Sequence, residues 1–319
     1  MILLDLFFAM AVRCEVPPKI MRVSRMMVLA LRARVKRGFL LACLLPALLL
    51  QAAPARAENR ILVYPRAEGI GDRRDDYPVD LLTLALSKAG RHEQLQASAF
   101  FMLQARSIRE LEQGRAMDVI WTMTSIEREE SMLPIRIPID RGLLGWRLLM
   151  VRQDSLARFA HLRRLTDLQD LRAGQGADWP DTSILRKAGL TVDESAHYGD
   201  LFLKLAAGRI DYFPRGVNEI WGELQSHTEA GLAVDPRLAL HYPTAMYFFV
   251  NKRDAALAAD ITRGLEKALR DGSFEALFQR YFGASIQRAN LGERQILELK
   301  NPLLPPETPL GEARLWYHP

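Results

Sequence analysis

An α/β fold with mainly parallel sheets, arranged as two similar lobes, is predicted by three features of the sequence. Apolar runs of strand length alternate with amphipathic helical segments from Ile61 to Gly283. Glycines recur directly behind the helical segments, where a C-terminal cap belongs. One pattern also occurs twice: "LEQGRAMDVIWT", starting at Leu111, and "LAAGRIDYFPR", starting at Leu205, both run helix, Gly-Arg, one or two residues, Asp, apolar strand. Two such copies suit two lobes, each with its own sheet; the competing reading is ordinary helix-Gly-strand grammar.

In order along the chain, "NRILVYPRAEG" gives a buried strand from Ile61 to Tyr64, broken by Pro65. "YPVDLLTLALSKAG" is a helix with Leu81, Leu82, Leu84, Ala85 and Ala89 on its apolar face and Gly90 at its end. "SIRELEQG" is a second helix stopped by Gly114, and "MDVIWT" the strand behind it. "GLLGWRLLMVR" is a long apolar strand. "TDLQDLRAG" reads as a short helix or turn, "DTSILRKAG" as a helix ending at Gly189, and "GDLFLKLAAG" as a helix ending at Gly208. "RIDYFP" and "PTAMYFFVNK" are strands, and "AALAADITRGLEKALRDGSFEALFQRYFG" is a helical pair broken at Gly272.

The N-terminal segment reads differently. "RARVKRGFLLACLLPALLLQAAPARA" has a basic flank (Arg32, Arg34, Lys36, Arg37), an apolar run from Gly38 to Leu50, and the small-residue site Ala55-Arg56-Ala57. These are the three parts of a secretory signal peptide, with cleavage after Ala57. A retained anchor is the competing reading, although the run is short for a membrane span and contains Pro46. The residues before Met21 look like an over-long start, with Met21, Met26 and Met27 all usable. Residues 1–57 are thus set apart from the fold, and the mature protein is expected in the periplasm.

That division changes the charge argument. The chain is +5, with 43 basic and 38 acidic residues, but residues 1–57 hold nine of the former and two of the latter, leaving 34 against 36. The basic balance belongs to the leader and implies no nucleic-acid partner. Both cysteines, Cys14 and Cys43, also fall there, so the rest has no disulfide, thiol nucleophile or cysteine metal site. The six histidines show no metal spacing, and no cofactor motif is complete: "GIGDRR" and "GQGADW" lack a third glycine and a strand-to-helix setting.

Four features carry a resemblance to the type 2 periplasmic substrate-binding proteins, near their amino-acid-binding branch (solute-binding protein family 3). "GRAMDVIWTMTSIERE" is similar to the family's first-lobe stretch and "LAAGRIDYFPR" to its second-lobe counterpart. "AMYFFVNKRDAALAADITRGLEKALRDGSFEALFQRYFG" looks like the returning strand and closing helices, and the exported, cysteine-free layout agrees. The resemblance implies a clamshell, with lobe 1 from residues 58–150 and 245–319 and lobe 2 from 151–244. Two crossover strands, near "GWRLLMVR" and "TAMYFFVNK", would form the hinge, and ligand would draw the lobes together. It further implies a monomeric receptor without a cofactor, serving an ABC-type transporter or a sensor.

Ligands in open α/β sheets gather at the carboxyl ends of strands. "DVIWT" ends at Thr122, so Thr122, Thr124 and Ser125 are expected to face the cleft. Ser125 suits the N-cap of a helix beginning at Ile126, and Arg128, one turn in, can meet a carboxylate bidentately. In the resembled receptors the matching arginine holds the ligand carboxylate; the stretch here is about two residues shorter between Asp118 and Arg128 than in the family pattern. The competing reading is an N-capped helix with a solvated arginine. Tyr64 and Arg66 follow the first strand, where the family places an aromatic wall, and Trp179 precedes a helix start. The family puts an acidic residue near the end of the second-lobe strand, but here Arg215 stands there, with Asn218 and Glu219 just beyond. Two arginines from opposite lobes suit a dianion or other acidic solute.

Two other readings stay open. One is an enzyme on the same scaffold, a dehydratase of cyclic acids, with Glu219 or His197 as general acid. The other is an interaction protein that has lost its ligand. The proline-rich segment beyond Gly283, "LGERQILELKNPLLPPETPLGEARLWYHP", carries too many large apolar residues for a free tail. It is expected to pack back over lobe 1, or to serve as a docking strip.

Overall fold

The computed structural model describes residues 60–66 and 73–319; the leader and the glycines of Gly69-Ile70-Gly71 lie outside the described residues. The chain starts with β1 (Ile61–Tyr64), α1 (Asp76–Ala89) and β2 (Gln94–Ala97), the strands pairing in parallel. Gly90 ends α1 at φ 80, and its N–H returns to Ser87 O at 2.9 Å. Next come α2 (Gln104–Glu112), β3 (Val119–Met123), α3 (Ile126–Ser131) and β4 (Leu133–Ile135).

The chain then crosses into a six-stranded sheet. Its elements are β5 (Trp146–Arg152), α4 (Leu156–Phe159), β6 (Arg172–Gly176), α5 (Pro180–Lys187), β7 (Thr191–Ser195), α6 (Tyr198–Ala206), β8 (Tyr212–Gly216), α7 (Ile220–Ser226) and β9 (Leu232–His241). A second crossing, residues 242–245, leads to β10 (Met246–Val250), which lies antiparallel between β3 and β4. Helices α8 (Ala255–Arg270) and α9 (Ser273–Ala289) close over the first half. Gly264 allows α8 to meet α1 closely: a Cβ there would lie 1.8 Å from Ala85 O.

The strand order of the large sheet is β11-β9-β5-β8-β6-β7, where β11 (Gln295–Glu298) belongs to the C-terminal arm. The long returning strands make both halves mixed: β10 is antiparallel to β3 and β4, and β5 to β8 and β9, while β6-β7, β6-β8 and β9-β11 are parallel.

The repeated pattern of Gly-Arg, one or two residues and Asp has one structural meaning in both halves. Gly114 and Gly208 leave their helices at φ 63 and 68, in the left-handed region. Asp118 donates its N–H to Val63 O (2.9 Å) and accepts Val63 N–H on Oδ2 (2.8 Å). Asp211 does the same with Arg172: its N–H reaches Arg172 O at 2.8 Å and its Oδ2 accepts Arg172 N–H at 2.8 Å. Each aspartate thus clips its own strand to the neighbouring one, a backbone-like pair made by a side chain. The echo is therefore more than helix-to-strand grammar.

One motif reading needs correction. Gly174 and Gly176 of "GQGADW" do lie on a strand, β6, that leads into a helix, α5. The glycines serve packing: a Cβ on Gly176 would sit 2.4 Å from the Trp179 ring, and one on Gly174 2.3 Å from Ile210. Among the described residues no helix is long and apolar enough to cross a membrane.

Candidate functional site

The buried strand β3 ends where Ser125 turns extended (φ −153, ψ 160) and accepts Arg128 N–H on its hydroxyl at 3.2 Å. This cap starts α3 and swings the Arg128 side chain back over the strand end. Its Nη1 donates to Thr122 Oγ1 (2.6 Å) and Met123 O (2.7 Å), and its Nη2 to Gln104 Oε1 (2.6 Å) and Asp178 O (3.2 Å). Arg128 is only 7% exposed, and these four acceptors are all uncharged. Burial pulls its pKa down to about 10, against the fields of Asp178, Asp181 and Glu127, so the guanidinium stays charged at neutral pH. A buried cation whose direct acceptors are all neutral gains from an arriving carboxylate.

The two remaining hydroxyl neighbours differ. Thr122 is in contact with Arg128, whereas Thr124 donates its hydroxyl to Glu129 Oε1 (2.6 Å), and Arg136 Nε donates to the other oxygen, Oε2, of the same carboxylate (2.9 Å). The first-turn N–H of Ile126 is taken by Leu303 O of the C-terminal arm at 3.0 Å. Tyr64, half-buried, faces Trp121 at 5.5 Å between ring centroids, and Trp121 Nε1 donates to Asp75 Oδ1 at 3.2 Å. Burial first, then Asp75, raises the Tyr64 hydroxyl above its ordinary range. Arg66 is exposed and bound to the next loop, with Nε on Ser98 O at 2.6 Å.

The second half contributes a buried box of charges. Arg215, at the end of β8 and 2% exposed, grips Glu223 through Nε and Nη2 (2.8 and 2.6 Å) and reaches Glu219 at 3.0 Å. Arg147, on β5 and equally buried, pairs with Asp181 (2.5 Å) and Glu219 (3.3 Å) and donates Nε to Tyr242 Oη (2.9 Å). Tyr242 in turn donates to Asp181. Burial alone would push the Glu219 carboxyl up, but Arg215 and Arg147 outweigh it and hold it below the usual carboxylate range. Trp179, at the start of α5, stacks over Arg215 at 5.0 Å, with Phe213 at 4.9 Å and Tyr198 at 5.8 Å.

The halves touch at Asp178, beside Trp179. Its Oδ2 accepts Ala105 N–H at 3.0 Å and its carbonyl meets Arg128 at 3.2 Å. Helix α2 has Leu103 in its N-cap position and no side-chain cap of its own, so Asp178 supplies the acceptor from the opposite half. Arg74 adds a second contact, 4.2 Å over the Tyr198 ring.

Of the residues singled out from sequence, Thr122, Ser125 and Arg128 form one cluster, and Trp179, Arg215 and Glu219 another. Tyr64, Arg66 and Thr124 make their contacts outside both. Sequence reasoning missed Gln104, Asp178, Arg147, Asp181, Glu223 and Tyr242. Only Arg147 carried a signal, a charge inside the apolar strand "GWRLLMVR". Among the described residues no group of acidic, histidine or cysteine side chains could hold a metal.

No family model matches the chain, and no curated protein matches it. Solved structures do. An ancestral arginine-binding protein, seen with arginine and with glutamine, is 18% identical with a TM-score of 0.54, over 70% of this chain and 98% of its own. A periplasmic binding protein of Salmonella typhimurium with high arginine specificity is 15% identical, with a TM-score of 0.53 over 70% of this chain and 99% of its own. A histidine kinase sensor domain with similarity to periplasmic binding proteins is 19% identical, with a TM-score of 0.53 over 70% and 96%. The chain thus shares the two-lobed α/β fold of amino-acid-binding periplasmic proteins.

Proposed function

We propose that the chain is a periplasmic solute receptor that closes two lobes on a small carboxylate-bearing solute held by Arg128. Strands β5 and β11 are counted with the second lobe, whose sheet they join, and not with the first as the division at residues 58–150 and 245–319 would have it. The observation that carries this reading is the buried guanidinium of Arg128 with four neutral acceptors. Thr122, Ser125 and Gln104 orient it. The charge of Arg215 is answered inside the protein by Glu223 and Glu219, so a second anionic group on the solute is not required. A monocarboxylate such as an α-amino acid fits better than a dianion, and the ligands of the structural neighbours put arginine and glutamine first among candidates. The receptor would hand its solute to an ABC-type permease or report it to a membrane sensor.

An enzymatic reading needs a general acid in the cleft. Glu219, held ionised by two guanidiniums, is an acceptor rather than a proton donor, and His197 is exposed at the start of α6. A thermal-shift panel of amino acids, dicarboxylates, sugar acids and small phosphates tests the proposal. A solute at about a hundred times its dissociation constant adds roughly 2.7 kcal/mol, several degrees in midpoint. Stabilisation by carboxylates that vanishes in Arg128→Ala supports the receptor; a flat panel contradicts it.

A further inference from the structure

The C-terminal arm fastens both connections between the halves. The first connection is residues 136–145, between β4 and β5; the second is residues 242–245, between β9 and β10. After α9 the chain turns at Asn290 (φ 47), and β11 then adds in parallel to β9, pairing Gln295 with Leu238 through Glu298 with His241. Pairing therefore falls on the end of β9 that leads directly into the second connection. Arg294 Nη1 donates to the Leu238 carbonyl at 3.1 Å, and Leu299 N–H to His241 O at 2.8 Å. Asn301 Nδ2 then reaches Pro243 O at 2.9 Å, inside the connection itself.

The arm next crosses the first half and ends on the other connection. Leu303 O takes the N–H of Ile126, as noted above. Trp316, 9% exposed, covers Gly142 so closely that a Cβ there would lie 2.6 Å from the ring. Tyr317 N–H donates to Arg141 O at 2.8 Å, and Arg141 Nη2 returns to Trp316 O at 3.1 Å. Arg141 and Gly142 both have positive φ, 52 and 75, so this turn is a defined conformation that the arm covers. The two connections also meet each other: a Cβ on Gly145 would fall 2.3 Å from Tyr242 O.

We propose that the C-terminal arm is a hinge clasp: by gripping residues 141–142 with its end and 241–243 with its start, it limits how far the two lobes open. Closure by rotation about two connections changes backbone angles within them. Hydrogen bonds and a buried indole laid across both oppose that change, and apart from Leu303 O on the Ile126 N–H at the start of α3 these bonds lie on the connections rather than at the Arg128 cluster. The clasp rests on the two-lobed receptor reading for its purpose, but its test needs no ligand.

The test compares small-angle scattering and amide exchange of the exported, ligand-free protein with those of Trp316→Ala and Asn301→Ala. The clasp predicts a larger radius of gyration in both variants. It also predicts exchange around residues 241–245 that is faster by about fivefold, the loss of one hydrogen bond's stabilisation. Asn301→Ala removes two hydrogen bonds, to Pro243 O (2.9 Å) and from Leu303 N–H (3.0 Å), with no buried ring lost, and keeps the test meaningful if Trp316→Ala fails to fold. An unchanged radius of gyration in folded Asn301→Ala, with a lowered unfolding midpoint alone, overturns the clasp and makes the arm a stabilising extension; the receptor reading stands in that case. An enlarged radius supports the clasp even if no solute binds either protein, a result that would sink the receptor reading alone.

Discussion

Replacing Arg215 by methionine should damage stability rather than binding. The guanidinium is 2% exposed, and the Glu223 carboxylate that it grips has a side chain 4% exposed, so neither partner can turn to water. Removing the cation leaves Glu223 buried with Tyr198 Oη (2.8 Å) as its remaining donor, while Glu219 keeps Arg147 at 3.3 Å. Breaking one partner of such a pair costs about 3–5 kcal/mol. For a chain of this size that lowers the thermal midpoint by roughly 10 °C. The double variant Arg215→Met, Glu223→Met removes both charges and should recover roughly 2 kcal/mol of the loss. Urea unfolding followed by circular dichroism measures all three proteins, with equal m-values as the check that the comparison is sound. If Arg215→Met costs under about 1 kcal/mol, or the double variant shows no recovery, the argument that Arg215 is neutralised within the fold fails. The case for a dianionic solute would then return.

Other consequences follow from the same structure. Asp118→Ala and Asp211→Ala each unpair a strand N–H, of Val63 and Arg172, and should cost similar amounts, about 1–3 kcal/mol each by urea unfolding. Gly264→Ala drives a methyl group into the Ala85 carbonyl and should cost about 3 kcal/mol by the same measurement, whereas an exposed helical glycine replaced by alanine usually gains about 0.5–1 kcal/mol. Asp140, fully buried, has its carboxyl pushed up to about 6 by burial, against the N–H groups of Gly142 and Leu144 that it accepts. Its folded pKa lies above the unfolded one, so its contribution is fully present below about pH 4 and is lost as pH rises through about 6. Wild type should therefore lose roughly 3 kcal/mol relative to Asp140→Asn between those limits, read from unfolding midpoints across pH.

Much of this fold was legible because its buried elements are strongly patterned. The strand Ile61–Tyr64, the helix ending at Gly90 and the helical pair broken at Gly272 stand in the structure where the apolar spacing and glycines put them. The strands that escaped notice carry weak signals. β2 is "QLQA" and β7 is "TVDES", polar edge strands without an apolar run, and β6 is "RAGQG", whose glycines read as a turn. β9 holds Pro236, which interrupts its apolar run, and β5 and β11 pair along it. In the site, the end of β3 and the Ser125 cap could be read locally, since both depend on neighbours in sequence. Glu219 and Glu223, four and eight residues beyond Arg215, are local as well. The remoter partners could not be read: Gln104 and Asp178 reach Arg128 from 24 and 50 residues away, and Arg147 meets Glu219 from 72. Such contacts are set by the packing of the two halves, which no local pattern encodes.

The central claim is that Arg128 holds a solute carboxylate, and calorimetric titration with matched ligands tests it most directly. Wild type and Arg128→Ala would each be titrated with arginine, glutamine and the methyl esters of both. The account predicts that wild type binds an acid form, and that either the ester or the Arg128→Ala change costs roughly 2–5 kcal/mol. Combining ester and variant should then cost little more than either alone. Equal affinity for acid and ester in wild type, or acid binding that survives Arg128→Ala, would contradict it.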